Sequence, residues 1–245
     1  YSYAFGISNT LASSTVAGGG SAFAFGISNT VRSSNNSYGS YARGYGNNIG
    51  NTNATNTYLG FADGWSNTIN GAGGMAIGNG NNVFSTLTSG AALLIGQNNN
   101  GYDIYSGAAA IGNNNTIRRL QYALGQTNNI GTIGDATIYN NTAIGTSNIM
   151  GTMGISTSTS VYYNTAVGTS NTVGNRQSTY YTSVTGSSNT VDGKYSSVIG
   201  YGNNINGYYY NNVDGFYNTV NFGTSTNSYY NNILGRSNTI SGDNV

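Results

Sequence analysis

The sequence predicts an all-β fold: a parallel β-solenoid of about fourteen stacked coils of irregular length, without helix, spanning residues 1–245 as a single repeat domain. Three observations predict it. A Gly-x-x-Asn motif returns along the whole chain, apolar residues recur at fixed offsets from its glycine, and glycine and β-branched residues dominate each repeat, which disfavours helix. The sequence also contains no proline, which would remove ladder hydrogen bonds from strands.

The repeat is clearest in whole segments: residues 4–11 (AFGISNTL) return as 24–31 (AFGISNTV). The motif glycines are Gly6, Gly26, Gly44, Gly64, Gly78, Gly96, Gly112, Gly125, Gly145, Gly168, Gly186, Gly200, Gly215 and Gly235. Three residues after each stands an asparagine: Asn9, Asn29, Asn47, Asn67, Asn81, Asn99, Asn115, Asn128, Asn148, Asn171, Asn189, Asn203, Asn218 and Asn238. The mean spacing is about 18 residues, and gaps between glycines run from 13 to 23, which suits stacked coils joined by loops of different length.

Two columns of apolar residues predict the core. The residue two before each motif glycine is apolar, from Ala4 to Ile233, and the residue five after it is a larger apolar one in every copy except the one with Gly101. One small and one larger side chain per coil make a thin core. Stability therefore depends on backbone ladders and stacking as much as on buried volume.

The residue just before the glycine accepts Arg43 and Asp63, so we expect this column to face outward. Along its middle third the column is apolar, with Ile77, Ile95, Ile111, Leu124, Ile144 and Val167. An exposed apolar column of this length favours a subunit contact. Cover by a loop of the same chain is the alternative.

The motif glycine is expected to provide a positive φ or a close backbone approach at a tight corner. The asparagines beside that corner are expected to hydrogen-bond from coil to coil, because each side-chain amide both donates and accepts. In a parallel stack, like positions lie about 4.8 Å apart, so a charged column would repel itself. Charged residues make up only 5% of the sequence, in keeping with this arrangement.

Composition argues against catalysis and several classes of partner. The sequence has no histidine or cysteine, and its six carboxylates are scattered, so we expect no enzyme, no metal site and no cofactor. Seven basic residues against six acidic ones form no basic stripe, which argues against nucleic-acid binding. No apolar run approaches the length of a membrane span.

Tyrosines cluster in the segments that precede strands, including Tyr208, Tyr209, Tyr210, Tyr229 and Tyr230. They predict either an adhesive surface for glycans or neighbouring subunits, or an aromatic ladder within the chain. Repeated Ser-Asn-Thr triplets, such as 28–30 and 170–172, favour a third possibility. With each asparagine inward, their hydroxyls would form outward columns, as on an ice-binding face.

The short units at 141–145 (NTAIG), 164–168 (NTAVG) and 196–200 (SSVIG) resemble the head repeats of trimeric autotransporter adhesins. In that family such repeats wind a left-handed parallel β-roll, and three chains pack into a head that binds host surfaces. The resemblance implies the solenoid fold and places the column from Ile77 to Val167 at a chain–chain packing position. Irregular coil lengths and abundant tyrosine depart from the family pattern.

These observations favour an extracellular structural protein, a solenoid subunit that self-assembles into a cell-surface filament, fibre or sheath. The chain opens at Tyr1 rather than Met, so we expect a processed product or an excerpt. Neither end has an evident cap, which fits an excerpt of a longer repeat protein or coils that stack onto the next subunit, and we favour assembly. Its expected partners are copies of itself, with glycans or another surface ligand if the second hypothesis, an adhesin head, holds. Ice binding is the third hypothesis.

Overall fold

The computed structural model describes residues 2–13, 21–33, 39–50, 59–70, 73–84, 92–102, 107–131, 137–151, 160–174, 178–222 and 230–241. None of the residues in these ranges is helical, and none therefore lies in a helix long and apolar enough to cross a membrane. The chain forms two compact units, residues 1–120 and 121–245.

The first unit alternates strands of two parallel sheets. We call the sheet whose strands contain the motif glycine sheet 1 and the other sheet 2. The strands are β1 (Ser2–Ile7), β2 (Thr10–Ser13), β3 (Ala22–Ile27), β4 (Thr30–Ser33), β5 (Ser40–Tyr45), β6 (Asn48–Ile49), β7 (Gly60–Trp65), β8 (Thr68–Asn70), β9 (Gly74–Asn79), β10 (Asn82–Phe84), β11 (Ala92–Gln97), β12 (Asn100–Tyr102), β13 (Ala108–Asn113) and β14 (Thr116–Arg118). Odd-numbered strands belong to sheet 1 and even-numbered ones to sheet 2, seven of each.

The second unit repeats this plan and adds a three-stranded sheet, sheet 3. Its sheet 1 contains β15 (Gln121–Gln126), β18 (Asn141–Thr146), β21 (Thr165–Thr169), β24 (Ser183–Ser187), β26 (Ser197–Tyr201), β28 (Asn211–Phe216) and β30 (Asn231–Arg236). Sheet 2 contains β16 (Asn129–Ile130), β19 (Ile149–Met150), β22 (Thr172–Val173), β25 (Thr190–Lys194), β27 (Asn204–Tyr209), β29 (Thr219–Asn221) and β31 (Thr239–Ser241). Sheet 3 contains β17 (Thr137–Tyr139), β20 (Ser160–Tyr162) and β23 (Thr179–Tyr180).

Each strand pairs in parallel with the equivalent strand of the next coil, so like residues stack. In sheet 1 Gly26 pairs with Gly44, and Ile95 lies between Ile77 and Ile111. In sheet 2 Val31 pairs with Ile49. The predicted parallel β-solenoid, with files of identical positions, is confirmed in both units.

The two apolar columns form the core, as predicted. The residue two before the motif glycine is buried in every described coil except the first, where Ala4 is exposed. The residue five after the glycine is buried except for the half-buried Leu11 and Ile240. The space between the sheets is thin beside these columns: a Cβ added at Gly60, four residues before the motif glycine of β7, would lie 2.5 Å from Cγ2 of Ile49 in sheet 2.

Candidate functional site

The corner between sheet 1 and sheet 2 requires glycine for both predicted reasons. Gly26 has φ +115°, and a Cβ on it would lie 2.1 Å from the carbonyl oxygen of Gly44 in the next coil. Two residues later Ser28 adopts the left-handed conformation with φ 56°, and Asn29 follows as a fully buried residue. The same approach of about 2 Å recurs at most motif glycines of both units. Any side chain at these positions would therefore push adjacent coils apart.

The asparagine after this corner links three coils. Asn29 donates through Nδ2 to the carbonyl of Phe25 in its own coil and to the carbonyl of Gly44 in the next, each at 2.9 Å. Its Nδ2 and its backbone N–H both donate to Oδ1 of Asn9 in the coil before, at 3.1 and 3.0 Å. Its Oδ1 accepts from Nδ2 and the backbone N–H of Asn47 in the next coil, at 3.0 and 3.1 Å. The buried amide thus uses its donors and its acceptor, as a side chain removed from water must.

The predicted asparagine ladder is present in each unit. In the first it runs through Asn9, Asn29, Asn47, Asn67, Asn81, Asn99 and Asn115, and in the second through Asn128, Asn148, Asn171, Asn189, Asn203, Asn218 and Asn238. All these side chains are buried except those of Asn9 and Asn238. The ladder is thus an internal feature of the fold, and its amides are not available to a ligand.

A second polar file, which the sequence reasoning missed, lies four residues before the motif glycine in the strands of the second unit from β18 onward. Its members are Asn141, Asn164, Thr182, Ser196, Asn211 and Asn231, all buried. Asn164 donates through Nδ2 to Oδ1 of Asn141 at 3.0 Å, and the backbone N–H of Thr182 donates to Oδ1 of Asn164 at 2.9 Å. The signal was available as a polar residue at a constant offset, although its identity varies.

The residue before each member of this file is left-handed, and from the second member on it is tyrosine. These residues are Tyr163, Tyr181, Tyr195, Tyr210 and Tyr230, with φ between 50° and 58°. We call them the outer tyrosine file. A non-glycine residue in this conformation costs about 1–2 kcal/mol. Each ring stacks on the next at centroid separations of 4.8–5.3 Å, and such aromatic pairs contribute about 0.5–1.5 kcal/mol, which offsets much of the strain.

A parallel inner tyrosine file consists of Tyr139, Tyr162, Tyr180 and Tyr209. The first three stack at 5.1 Å with their planes within 6° of parallel. Between Tyr180 and Tyr209 the chain places Lys194, which is largely buried, with its Nζ 4.9 and 5.1 Å from the two ring centroids. A cation between two aromatic faces is attracted by both rings, so Lys194 takes the place of a ring in this file.

The two files pack edge to face and desolvate one another. Tyr180 meets Tyr181 and Tyr195 with interplanar angles of 88°. Partial burial among neighbouring rings, reinforced by the nearby phenols, raises the pKa of Tyr195 and of Tyr162 above the usual tyrosine value. In both residues the protonated phenol is favoured over the phenolate.

The predicted adhesive residues divide between the two files. Tyr209 belongs to the inner file, whereas Tyr210 and Tyr230 belong to the outer one. Tyr208 lies in β27, although its side chain is outside the described part, and Tyr229 lies outside the described residues altogether. The intrachain aromatic ladder is therefore present. Because the rings stack face to face, the outer file presents ring edges and hydroxyl groups to solvent.

The outward side of sheet 1 in the first unit is an apolar face. Three columns contribute to it, at three before, one before and one after the motif glycine, so the predicted column is only its central file. The large apolar members are Tyr3, Phe5, Ile7, Phe23, Phe25, Ile27, Tyr41, Tyr45, Phe61, Trp65, Met75, Ile77, Leu93, Ile95 and Ile111. All of them are half-buried or exposed, with Phe5 at 75% and Trp65 at 58%. The apolar face is a candidate contact surface.

Within the apolar face, Arg43 and Asp63 form a pair. The two residues stack in adjacent strands, and Nε of Arg43 donates to Oδ1 of Asp63 at 2.9 Å while the second guanidinium arm contacts Oδ2. The hydrogen bond and the charge of Arg43 lower the pKa of Asp63. The pair neutralises itself, so these two ionised residues add no net charge to the apolar face.

The second unit carries hydroxyl groups on the equivalent outward surface. In β18, β21 and β24 the flanking columns hold Thr142, Thr146, Thr165, Thr169, Ser183 and Ser187, in register. Here the central column contains Ile144, Val167 and Thr185, and in β15 it contains Leu124. The predicted contact column thus faces outward in both units, but its surroundings change from apolar to hydroxyl-rich.

The Ser-Asn-Thr triplets place their side chains as the sequence suggests. Ser170 is exposed, Asn171 is buried, and Thr172 is half-buried. Among the residues that the structure describes, no group of three or more acidic, histidine or cysteine side chains is arranged to hold a metal ion. No protein-family model, curated protein or solved structure matches the chain. Function must therefore be inferred from these surfaces.

Proposed function

We propose that this chain is an extracellular structural protein whose solenoid self-assembles side by side into a cell-surface filament, fibre or sheath. The observation that carries the proposal is the apolar face of the first unit. Burying such a surface contributes about 25 cal/mol for each Å² of apolar area removed from water. Large contiguous apolar patches are rare on monomeric proteins, which supports a partner over free solvent. The extracellular location is supported by the resemblance to adhesin head repeats.

A second copy of this chain is the occupant that the geometry favours. The side chains of the apolar face repeat from coil to coil at the strand spacing of about 4.8 Å, so an identical face offers ridges and grooves of the same period. Two flat sheets pack in this way at about 10 Å separation. Seven strands with three outward positions each approach the roughly 20–30 residues that a stable interface uses on one side.

Charge also favours a copy over an anionic surface. Anionic lipid headgroups are recognised by clusters of lysine and arginine. The one described cation in the columns of the apolar face is Arg43, which is paired with Asp63. When two such neutral faces pack together, no unpaired charge is buried.

The test replaces part of the apolar face with residues that the chain itself uses elsewhere. Thr146 and Thr169 occupy the column one after the motif glycine in the second unit, so Ile27→Thr, Tyr45→Thr and Trp65→Thr together put tolerated residues at the same position. Sedimentation velocity over a concentration series and negative-stain microscopy should show assembly of the wild type. The triple variant should assemble only at higher concentration.

The matched control removes exposed aromatics of the same column outside the apolar face. Tyr201 and Phe216 are 41% and 54% exposed, and the variant Tyr201→Thr/Phe216→Thr should assemble like the wild type. Circular dichroism checks that all variants keep their β structure. A wild type that stays monomeric at every concentration, or a control that loses assembly as fully as the triple variant, would contradict the proposal.

Ice binding is a second candidate, favoured by the hydroxyl groups on sheet 1 of the second unit. Thr142 and Thr146 stack on Thr165 and Thr169, which gives two parallel columns of threonine on one flat surface. The hydroxyl groups of these columns repeat at the strand spacing of about 4.8 Å. A thermal-hysteresis measurement on the wild type and on Thr146→Lys/Thr169→Lys tests it, and absence of hysteresis in the wild type removes this candidate.

The adhesin hypothesis rests on the tyrosine files. Sugar rings bind most strongly to the open faces of aromatic side chains, whereas here Tyr181 and Tyr195 use their faces on their neighbours. The outer tyrosine file therefore supports hydrogen bonding through phenols better than sugar stacking. Binding to a glycan array, compared between the wild type and Tyr210→Phe/Tyr230→Phe, tests this surface.

A further inference from the structure

We infer that the outer tyrosine file is a site of one-electron oxidation, through which separate copies of this chain become joined by dityrosine cross-links. The oxidant is hydrogen peroxide acting through a haem peroxidase. The inference deepens the proposed function, on which it rests in one respect: the cross-link would make the proposed assembly permanent. The file comprises Tyr163, Tyr181, Tyr195, Tyr210 and Tyr230, as defined above.

Access is the first requirement, and the outer tyrosine file meets it. The exposed fractions of its five side chains run from 40% for Tyr210 to 72% for Tyr230. The phenols project from the corner that precedes sheet 1, so both an oxidising enzyme and another copy can reach them. The inner tyrosine file lies behind, with Tyr162 and Tyr180 only half-exposed.

Stacking makes these phenols a favoured place for the radical. The rings of Tyr181 and Tyr195 lie 5.3 Å apart with planes within 7° of parallel, and those of Tyr210 and Tyr230 lie 4.8 Å apart within 6°. Before the phenol proton leaves, a ring that has lost an electron carries a positive charge, which the electron-rich faces of its neighbours stabilise. The chain contains no cysteine that would compete for the oxidant, and Met150, the one methionine of this unit that the structure describes, is fully buried.

The same geometry directs coupling outward to another copy. A dityrosine bond joins the ring carbons beside the two phenol oxygens and lies in the plane of both rings. Parallel rings such as those of Tyr163 and Tyr181, held face to face at 5.1 Å, cannot form that bond without leaving the stack. The edge-to-face contacts between the files do not allow this bond either, because the ring planes of Tyr180 and Tyr181 meet at 88°. A ring edge from a second copy meets no such restriction.

The chemistry balances with hydrogen peroxide as the oxidant. Two phenols, one on each copy, each lose one electron and one proton. The two radicals pair to form one carbon–carbon bond, and each ring regains its aromaticity when the hydrogen on the bonded carbon is transferred to the phenol oxygen. The two electrons and two protons reduce one hydrogen peroxide to two waters, and no other reactant is needed.

The experiment treats the purified chain with horseradish peroxidase and hydrogen peroxide. Dityrosine is followed by its fluorescence and covalent dimers by denaturing gel electrophoresis. The test variant changes all five residues of the outer tyrosine file to phenylalanine, which keeps the stacked rings and removes the phenols. The control changes Tyr3, Tyr45, Tyr102, Tyr122 and Tyr201 to phenylalanine, because these five have similar exposed fractions, from 40% to 57%.

We expect covalent dimers and higher oligomers from the wild type and the control, and their loss in the test variant. Mass-spectrometric mapping of the wild-type product should place the cross-linked residues in the outer tyrosine file, and this readout holds even if the test variant folds poorly. Equal cross-linking of the test variant overturns the inference. Fluorescence without covalent dimers overturns it too, since coupling would then lie within one copy.

The results that would reject the proposed function differ from those that would reject the cross-linking site. If sedimentation shows only monomers, self-assembly is excluded, whereas coupling through the outer tyrosine file remains measurable in concentrated solution, where exposed phenols meet by collision. Conversely, assembly of the wild type with no difference between the test and control variants rejects the cross-linking site and leaves the assembly standing.

Discussion

The side chain of Asn99 donates through Nδ2 to Oδ1 of Asn81 at 3.0 Å, and the backbone N–H of Asn99 donates to the same oxygen at 3.1 Å. The same Nδ2 group also donates to the carbonyls of Ile95 and Gly112. One buried amide therefore links its own coil to the coil before and the coil after. The asparagine ladder repeats this connection along each unit.

We predict that Asn99→Asp lowers the free energy of unfolding by about 3–5 kcal/mol, because aspartate brings a buried charge and no N–H donor for the carbonyls of Ile95 and Gly112. Urea denaturation followed by circular dichroism measures the loss. The matched control is Asn100→Asp, one residue later on the half-buried outward side of β12, with an expected change within about 0.5 kcal/mol. Equal losses in both variants would show that the ladder amide has no special role.

Substitution of two glycines of one corner should cost different amounts of stability. A Cβ on Gly44 would lie 2.0 Å from the carbonyl oxygen of Gly64, so Gly44→Ala should separate two coils and cost more than about 3 kcal/mol. Gly46 has φ 64°, and a Cβ there lies 3.5 Å from Oγ of Ser66, an ordinary contact. Gly46→Ser introduces the residue that other corners use at this position, and it should cost only the strain of a left-handed residue, about 1–2 kcal/mol. Thermal unfolding of both variants provides the comparison; similar losses would refute the steric account.

Lys194 should stabilise the inner tyrosine file through its charge. Its Nζ lies within 5.1 Å of the ring centroids of Tyr180 and Tyr209, so Lys194→Met, which keeps the side-chain length, should cost about 1–2 kcal/mol. Lys194→Arg keeps the cation and should lose less in the same denaturation measurement. A methionine variant as stable as the wild type would exclude a contribution from the charge.

The phenol of Tyr195 should titrate above the ordinary tyrosine value of about 10, because partial burial in the outer tyrosine file raises its pKa. A raised pKa in the folded state means that folding favours the protonated phenol. This contribution to stability is complete below the unfolded pKa and is lost as pH rises through the folded pKa. Phenolate absorbance during an alkaline titration measures it. Compared with the wild type, Tyr195→Phe should lack a late-titrating phenol, and loss of an early one instead would contradict the prediction.

The corner between sheet 1 and sheet 2 could be predicted from the sequence because its motif glycine and asparagine repeat without exception. Only glycine tolerates the approach seen between Gly26 and Gly44, and only an amide both donates and accepts as Asn29 does. Where geometry admits one residue type, every copy shows it. Alternation along the strands then located the core columns correctly.

The corner that precedes sheet 1 in the second unit was missed, because its geometry admits several residues and the polar signal at its constant offset varies in identity. Asn164, Thr182 and Ser196 all fill the same buried position, and tyrosine is not a usual signal for a left-handed residue. The sequence showed clustered tyrosines and could not distinguish an adhesive surface from a ladder. Ring stacking such as that between Tyr181 and Tyr195 appears only once the coils are aligned.

The amino-acid sequence alone determined the solenoid, its two apolar columns and the asparagine ladder, since these depend on short-range geometry repeated in every coil. The tertiary structure decided how separate columns combine into surfaces. Alignment of the coils joins the column of Ile77 to those of Met75 and Tyr45 as one apolar face, and orders the tyrosines into stacked files. The physical reason is that a column has a period within the chain, whereas a surface depends on which columns the strand register places side by side.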